Sequence, residues 1–406
     1  MRPLLIEALV KIAILIAGLM TAAAYLVLWE RWIAAWIQDR RGPNRVGIPL
    51  TNIRLFGLGQ PLADGVKFIF KEEITPKHVD RFLFFVAPLA IFIAAMLAFA
   101  VIPFGSVLPV EGSHGPIQLV VAPGLDVGLL YLAAVGSIAV YGVILGGWAS
   151  NNKYGFLGGL RSGAQLIAYE LPMGLGLLGV AVATGSLRLE EVIRQQAQTG
   201  MWNVFLQPLG FVVFCVAVTA EAGRLPFDLV EAEQELVGGY HTEYSGIKLM
   251  MYLVSEVLHM MTAAALIVIL FLGGWHFWGL TGCSQEVTWL QAILRVLVLG
   301  GKVLALITFF MLIRWSWPRF RFDQLMGLAW NVMLPLGMVN LALAAVWLEY
   351  GPRLSACVGL GSGTAQAILG WAALLVSWLI VTLIVPTSTD NRARLEAQDL
   401  DRLVSH

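Results

Sequence analysis

Long apolar runs broken by short polar segments set the pattern of this chain. The windows 4–29, 80–103, 126–149, 163–184, 201–222, 247–272, 289–313, 325–348 and 367–386 are predominantly apolar. Each is close to the ~20 residues a helix needs to cross the hydrocarbon of a bilayer. The runs are continuously apolar rather than alternating, which argues against a barrel. In lipid the backbone must bond within its own segment, which leaves helices. The pattern therefore predicts an all-α polytopic membrane protein with eight to nine transmembrane helices. The loops are short, so 1–406 is expected to be a single membrane domain. The first run begins at Leu4 with no small-residue cleavage site after it, and is read as a retained span.

The first long polar interval, 30–81, has a pattern of its own. ERWIAAWIQDRRGPNRVGIPL continues the first helix and stops at Gly42-Pro43, a turn signal. QPLADGVKFIFKEEITP then places Leu62, Val66, Ile69 and Phe70 on one helical side and Asp64, Lys67 and Lys71 on another. Such a helix lies in the membrane interface. It serves either as a doorway for an amphiphile or as a surface anchor.

Composition adds to this. The chain is 58% apolar and 13% charged, against roughly 25% charge in soluble domains. Lys plus Arg and Asp plus Glu number 26 each, so no net field favours nucleic acid. Nine basic residues fall in 30–81, and further ones in the third, fifth and seventh loops and the 387–406 tail. The positive-inside rule then puts the N-terminus outside, in the periplasm, and the C-terminus in the cytoplasm. The three cysteines show no CxxC spacing, which argues against a cysteine-held metal site or iron–sulfur cluster. Cys283 and Cys357 fall on outer loops, where an oxidising compartment permits a disulfide and two free thiols are the alternative.

Against this apolar background, EAGRLPFDLVEAEQELVGGYHTEY stands out. It holds Glu221, Asp228, Glu231, Glu233, Glu235 and Glu243 against one Arg224. It forms most of a cytoplasmic loop over 221–246. Asp228, Glu231 and Glu235 share one face if the segment is helical, and stacked like charges favour proton uptake. A solvated acidic face that docks a basic partner is the alternative. Pro226 and Phe227 suggest a loop pressed on something apolar. Glu170, Glu256, Arg295 and Lys302 fall inside apolar windows, and Glu221 ends one. Ionisable groups at that depth are paired or line a water-filled path. A proton route and a set of static braces are the two readings. Lys11 has no obvious partner, and His241 is read as structural. The chain shows no Gly-rich nucleotide loop, catalytic triad or histidine cluster.

At these residues the chain resembles a known family, the quinone-site membrane subunit of respiratory complex I (the H subunit of bacterial NADH:quinone oxidoreductase, subunit 1 in mitochondria). ERWIAAWIQDRRGPNRVG, QPLADGVKFIFKEEITP, GWASNNKYGFLGGLRSGAQLIAYE, EAGRLPFDLVEAEQELVGGYHTEYSG and PRFRFDQLMGLAWNVMLPL carry the resemblance in order, from Glu30 to about Leu336. The segment after Gly351 lies outside these motifs.

The resemblance implies a multi-pass subunit of a bacterial inner membrane that closes the membrane end of a quinone tunnel. It implies that quinone reduction is coupled to proton translocation. Quinone, ubiquinone or menaquinone, would be the substrate. NADH, FMN and iron–sulfur clusters would belong to partner subunits of the hydrophilic quinone module, with membrane-arm subunits as further partners, besides membrane lipid and with no nucleic acid. Carried over by motif, the quinone channel would involve Arg31, Gln38, Arg40, Asp64, Lys67, Phe227, Arg319 and Asp323. Proton coupling would involve Glu170, Glu221, Arg224, Asp228, Glu231, Glu233, Glu235, Glu243 and Glu256. The rivals are the related membrane component of hydrogenases, a standalone proton-coupled transporter and a structural anchor. The intact PFDLVEAEQELVGGYHTEYSG favours the quinone branch, and no inverted repeat supports a transporter.

Overall fold

The computed structural model describes residues 2–47, 57–112, 115–224, 226–228, 237–281, 287–358 and 361–384. The first helix, α1, runs Arg2–Ile37. At about 1.5 Å per residue it is longer than the hydrocarbon is thick, so its last turns leave the membrane. There Trp29 meets Trp32 and Trp36 edge-on at 6.1 and 5.7 Å, a grouping suited to the membrane–water boundary. The interfacial helix is present as α2, Gln60–Phe70. Its apolar residues Leu62, Val66, Ile69 and Phe70 are all exposed, as a face turned to lipid requires.

Helix α3, Arg81–Ala98, starts at Asp80, whose carboxylate accepts from the Phe82 and Leu83 N–H groups. A short antiparallel hairpin, β1 Val107–Gly112 with β2 Gly115–Gln118, follows on the opposite face. Helices α4, Gly128–Ala149, and α5, Lys153–Thr184, are joined by only three residues. The sequence pattern starts the latter span ten residues later, because Gly155, Gly158, Gly159 and Gly163 dilute its apolarity. Those glycines are packing sites. A Cβ on Gly159 would come within 3.2 Å of the Gly147 Cα, and such close approach binds helices in lipid.

Helix α6, Leu189–Thr199, is amphipathic and lies at the end of the bundle opposite α2. The single window 201–222 divides into α7, Asn203–Leu206, and α8, Pro208–Glu221. Pro208 offers no N–H to continue a helix, and Gln207 adopts φ −135°, ψ 62°. Fourteen residues are short for a full crossing. Helix α9, Gly246–Phe271, is buried on all sides from Met260 to Phe271. It is the central post of the bundle. After α10, Trp278–Thr281, α11 runs Trp289–Ser316 from a capping box of Thr288 and Gln291. Helix α12, Phe322–Gly327, passes through a π turn, Leu328–Met333, into α13, Leu334–Val358, and α14, Ser362–Ile384, ends the described chain.

Among the described residues eight helices are long and apolar enough to cross a membrane, with Pro208–Glu221 as a shorter one. The all-α polytopic reading holds, and every expected window contains a helix. The choice between a Cys283–Cys357 disulfide and two free thiols falls outside what is described.

Candidate functional site

One end of the bundle gathers most of the expected residues. Helix α8 stops at Glu221, and Gly223 turns the chain at φ +64°, a conformation glycine adopts freely. Gln165 of α5, fully buried, donates to the Ala220 and Phe227 carbonyls at 2.9 and 2.8 Å. It pins both sides of this turn. Phe227 stacks on Phe320 at 5.5 Å and leans on Tyr169 at 6.0 Å. The Phe320 N–H donates to the Pro226 carbonyl at 3.2 Å. The loop is thus pressed on an apolar surface, as Pro226 and Phe227 suggested.

Asp228 is buried and faces Arg319 at 3.5 Å. Asp323 instead lies near Arg321 at 3.6 Å, and both are exposed. Glu231, Glu233 and Glu235 lie outside the described residues, so their expected shared face does too. Glu243 accepts from Asn152 at 2.6 Å, which ties the far side of the loop to the start of α5. Tyr244 stacks on Phe84 at 4.1 Å. Burial pushes its phenol up to about 12, so it keeps its proton at neutral pH.

A chain of charged groups runs inward from here. Arg314 of α11 donates to Glu30 of α1. Arg224 lies 3.5 Å from the same Glu30 oxygen and 3.0 Å from Glu256 of α9. Glu256 and Glu221 line one cavity of about 70 Å³, together with Ser162, Tyr240, Tyr252 and His259. Glu221 lies beside Gly136 of α4, where a Cβ would stand 3.2 Å from its carboxylate oxygen. The next residue, Ser137, donates to Glu170 of α5. Glu170 is near enough to Glu221 for like-charge interaction. Six helices thus contribute to one line of charged and polar groups from Arg314 to Glu170.

Two larger spaces meet α1 at the same end. An open cleft of about 880 Å³ is lined by Glu30, Arg31, Arg40, Arg45, Gln60 and Trp315, among others. An apolar space of about 480 Å³ lies between α1, α9, α11 and the segment that follows α3, walled by Trp29, Trp32, Leu58, Phe99, Met261 and Val303 among others. Arg31 pairs with Asp64 at 2.7 Å, and Gln60 also donates to Asp64 at 3.2 Å. Arg40 donates to Gln38 at 2.8 Å. Lys67 is exposed one turn beyond Asp64. The expected quinone-channel residues therefore form two groups. Arg31, Gln38, Arg40, Asp64 and Lys67 surround the α1–α2 end, and Phe227 and Arg319 flank the turn after α8, with Asp323 four residues on from Arg319 and exposed beside Arg321.

Arg295 and Lys302 have a different role from the carboxylate line. Lys302 gives three hydrogen bonds to the Leu272, Gly274 and His276 carbonyls at 2.6, 3.0 and 2.7 Å. It lies over the rings of Trp202 and Phe277 and caps the end of α9. Arg295 donates to Ser106 and to the Thr281 carbonyl, over the Trp275 ring. These two are braces on the opposite face. Lys11 has a partner after all, Glu7 at 2.9 Å one turn earlier.

Sequence reasoning passed over Glu30, Arg314, Ser137, Ser162 and His259. Glu30 opens a motif already singled out, and His259 is an ionisable residue inside an apolar run. The depth rule applied to Glu170 covers both.

Fold and site together define a multi-span helical membrane protein with a carboxylate–arginine line that opens on a ligand-sized cleft. The chain belongs to the NADH dehydrogenase family, whose sequence model matches residues 10–345. It is 47% identical over 340 residues to the NADH-quinone oxidoreductase H subunit 1 of Geobacter metallireducens, covering 84% of this chain and 95% of that protein. It is 44% identical over 350 residues to the NADH-quinone oxidoreductase H subunit of Leptospira biflexa, covering 84% and 94%. It is 43% identical over 346 residues to the corresponding protein of Flavobacterium psychrophilum, covering 85% and 97%. Helix α14 lies beyond the family match.

Proposed function

We propose that this chain is the membrane subunit of a proton-pumping NADH:quinone oxidoreductase, forming the membrane end of the quinone tunnel and coupling quinone reduction to proton translocation. It would sit in a bacterial inner membrane, N-terminus periplasmic and C-terminus cytoplasmic. Its partners would be the hydrophilic quinone-module subunits, which hold the FMN and iron–sulfur clusters and take electrons from NADH, and the membrane-arm subunits. Quinone is the substrate on this reading, as ubiquinone or menaquinone.

One observation carries the reading. Glu30 lines the 880 Å³ cleft and is also the first carboxylate of the inward line through Arg224 to Glu256. A charge that appears in the cleft is felt at once by a group bonded to that line. The apolar space beside Trp29 and Trp32 suits an isoprenoid tail, and the arginines of the cleft suit a head group that gains negative charge. Arg31, Gln38, Arg40, Asp64 and Lys67 border the head group's route, with Phe227, Arg319 and Asp323 at its second wall. Adding two electrons to a quinone raises its demand for protons. Glu30 and Arg224 respond by shifting their pairing, and Glu256, Glu221 and Glu170 pass the change inward. Glu231, Glu233 and Glu235, with Asp228 and Glu243, are the loop carboxylates that adjoin this line in sequence.

The test uses the assembled enzyme carrying Glu30→Gln or Glu256→Gln. Quinone reduction and proton translocation are measured together, with NADH oxidation by an artificial acceptor as the control for assembly. Coupled reduction should fall while the control is kept. If both variants reduce quinone and pump protons as the parent does, the coupling role is refuted.

A further inference from the structure

We propose that His259 is a proton-carrying station between Glu256 and Glu221, working through bound water. This rests on the coupling role proposed above and adds a residue and a site to it.

The geometry is specific. The 70 Å³ cavity with Glu256 and Ser162 and a second of about 50 Å³ deeper in the bundle share a wall. That wall is Gly136, Glu221, Ala222 and His259. His259 and Glu221 therefore stand at the junction of the two spaces. His259 Nε2 is shielded from solvent and has no hydrogen-bond partner among the described residues. The Ser162 hydroxyl, on a residue only 1% exposed, also has none. A buried polar atom without a partner costs roughly 1–3 kcal/mol, and such atoms are satisfied by buried water where space allows. A water occupies roughly 30 Å³, so the larger cavity holds about two. Gly136 keeps the place open, because a methyl there would press on Glu221.

The titratable groups around His259 come from several elements. Glu221 ends α8, Glu256 and Tyr252 are on α9, Tyr240 is in the turn before it, and all line the same cavity. Glu170 of α5 is near enough to Glu221 for their like charges to interact. Helices α3 and α4 contribute only apolar residues and Gly136 to the two cavities.

The step is balanced. Protonated Glu256 gives its proton to a water, which passes one of its own to His259 Nε2, so that the carboxyl O–H bond breaks, one N–H bond forms and the water is restored. The same nitrogen then releases the proton through a second water to the Glu221 carboxylate. No electron moves, and the ring returns to its neutral state. Imidazole suits the task because its ring nitrogen can both accept and release a proton.

The experiment uses the assembled oxidoreductase in membrane vesicles, with His259→Gln, His259→Leu, Ser162→Ala and the reference Glu221→Gln. Glutamine keeps a hydrogen-bonding side chain but cannot carry a proton. Both His259 variants should lose about a hundredfold or more in coupled quinone reduction, the lower end of general acid–base effects. An uncoupler should not restore it, and NADH oxidation by an artificial acceptor should be normal. Parental rates in both variants, or parental rates in His259→Gln alone, overturn the proposal; the latter makes His259 a water anchor only. If His259 variants fail to assemble, Ser162→Ala decides: a changed solvent isotope effect on coupled turnover is expected, and the parental value overturns the proposal. Glu221→Gln separates the two levels. If it leaves coupling intact, the function proposed above fails; if it uncouples while the His259 variants do not, only this inference fails.

Discussion

The Arg224–Glu256 pair offers a quantitative test of the buried line. The N···O distance is 3.0 Å, with side chains 10% and 22% exposed. At an effective dielectric near 20 that distance gives about 5 kcal/mol before desolvation. Desolvation of both ions removes a large part, leaving a coupling of about 2 kcal/mol. Arg224→Met and Glu256→Gln are combined in a double-mutant cycle. Each single change should cost about 3 kcal/mol, because it leaves charge uncompensated in the bundle. The double variant should cost clearly less than the two together. The assay is unfolding of the purified protein in mixed detergent micelles. A coupling below about 0.5 kcal/mol, the value of a solvated surface pair, would refute a low-dielectric line.

Other outcomes follow from single contacts. Gly158→Ala places a Cβ 2.8 Å from the backbone of Gly239 and Tyr240. It should cost about 1–3 kcal/mol and release the turn before α9, read as faster proteolysis there. Burial and the nearby charges of Lys302 and Arg295 lower the proton affinity of His276 from its ordinary 6.5. Above pH 6.5 the ring is neutral both folded and unfolded. As pH falls below that, the unfolded chain binds a proton the folded site resists, so stability declines until the lowered folded value is passed; His276→Gln should flatten that part of the stability–pH curve. Asp80→Ala removes two bonds at the start of α3 and should cost about 1 kcal/mol, seen as a lower unfolding midpoint. Trp29→Ala and Trp32→Ala enlarge the apolar space beside α1, and should raise the KM for quinone more than they lower kcat.

The spans were legible because each is long and apolar, and lipid tolerates little else at that depth. The interfacial helix was legible because Leu62, Val66, Ile69 and Phe70 recur at helical spacing. The break at Gln207–Pro208 was not, since hydropathy counts side chains and does not register a missing N–H. The early start of α5 was hidden by glycines, which score as neutral in a run yet supply its closest contacts. Among the site residues, Glu170, Glu221 and Glu256 could be singled out by depth alone. Their order could not, because no local pattern says which helix faces which.

The amino-acid order by itself determined a polytopic helical protein, its spans and the list of groups at membrane depth. These follow from the cost of exposing backbone and charge to hydrocarbon, which each segment meets alone. Only the tertiary structure decided which charges answer one another. Glu30, Arg224 and Glu256 are far apart in sequence and meet because α1, α8 and α9 converge. Lys302, equally deep and equally charged, was drawn to the carbonyls at the end of α9 instead. Electrostatic and hydrogen-bond energies depend on distance in space, and packing alone sets that distance.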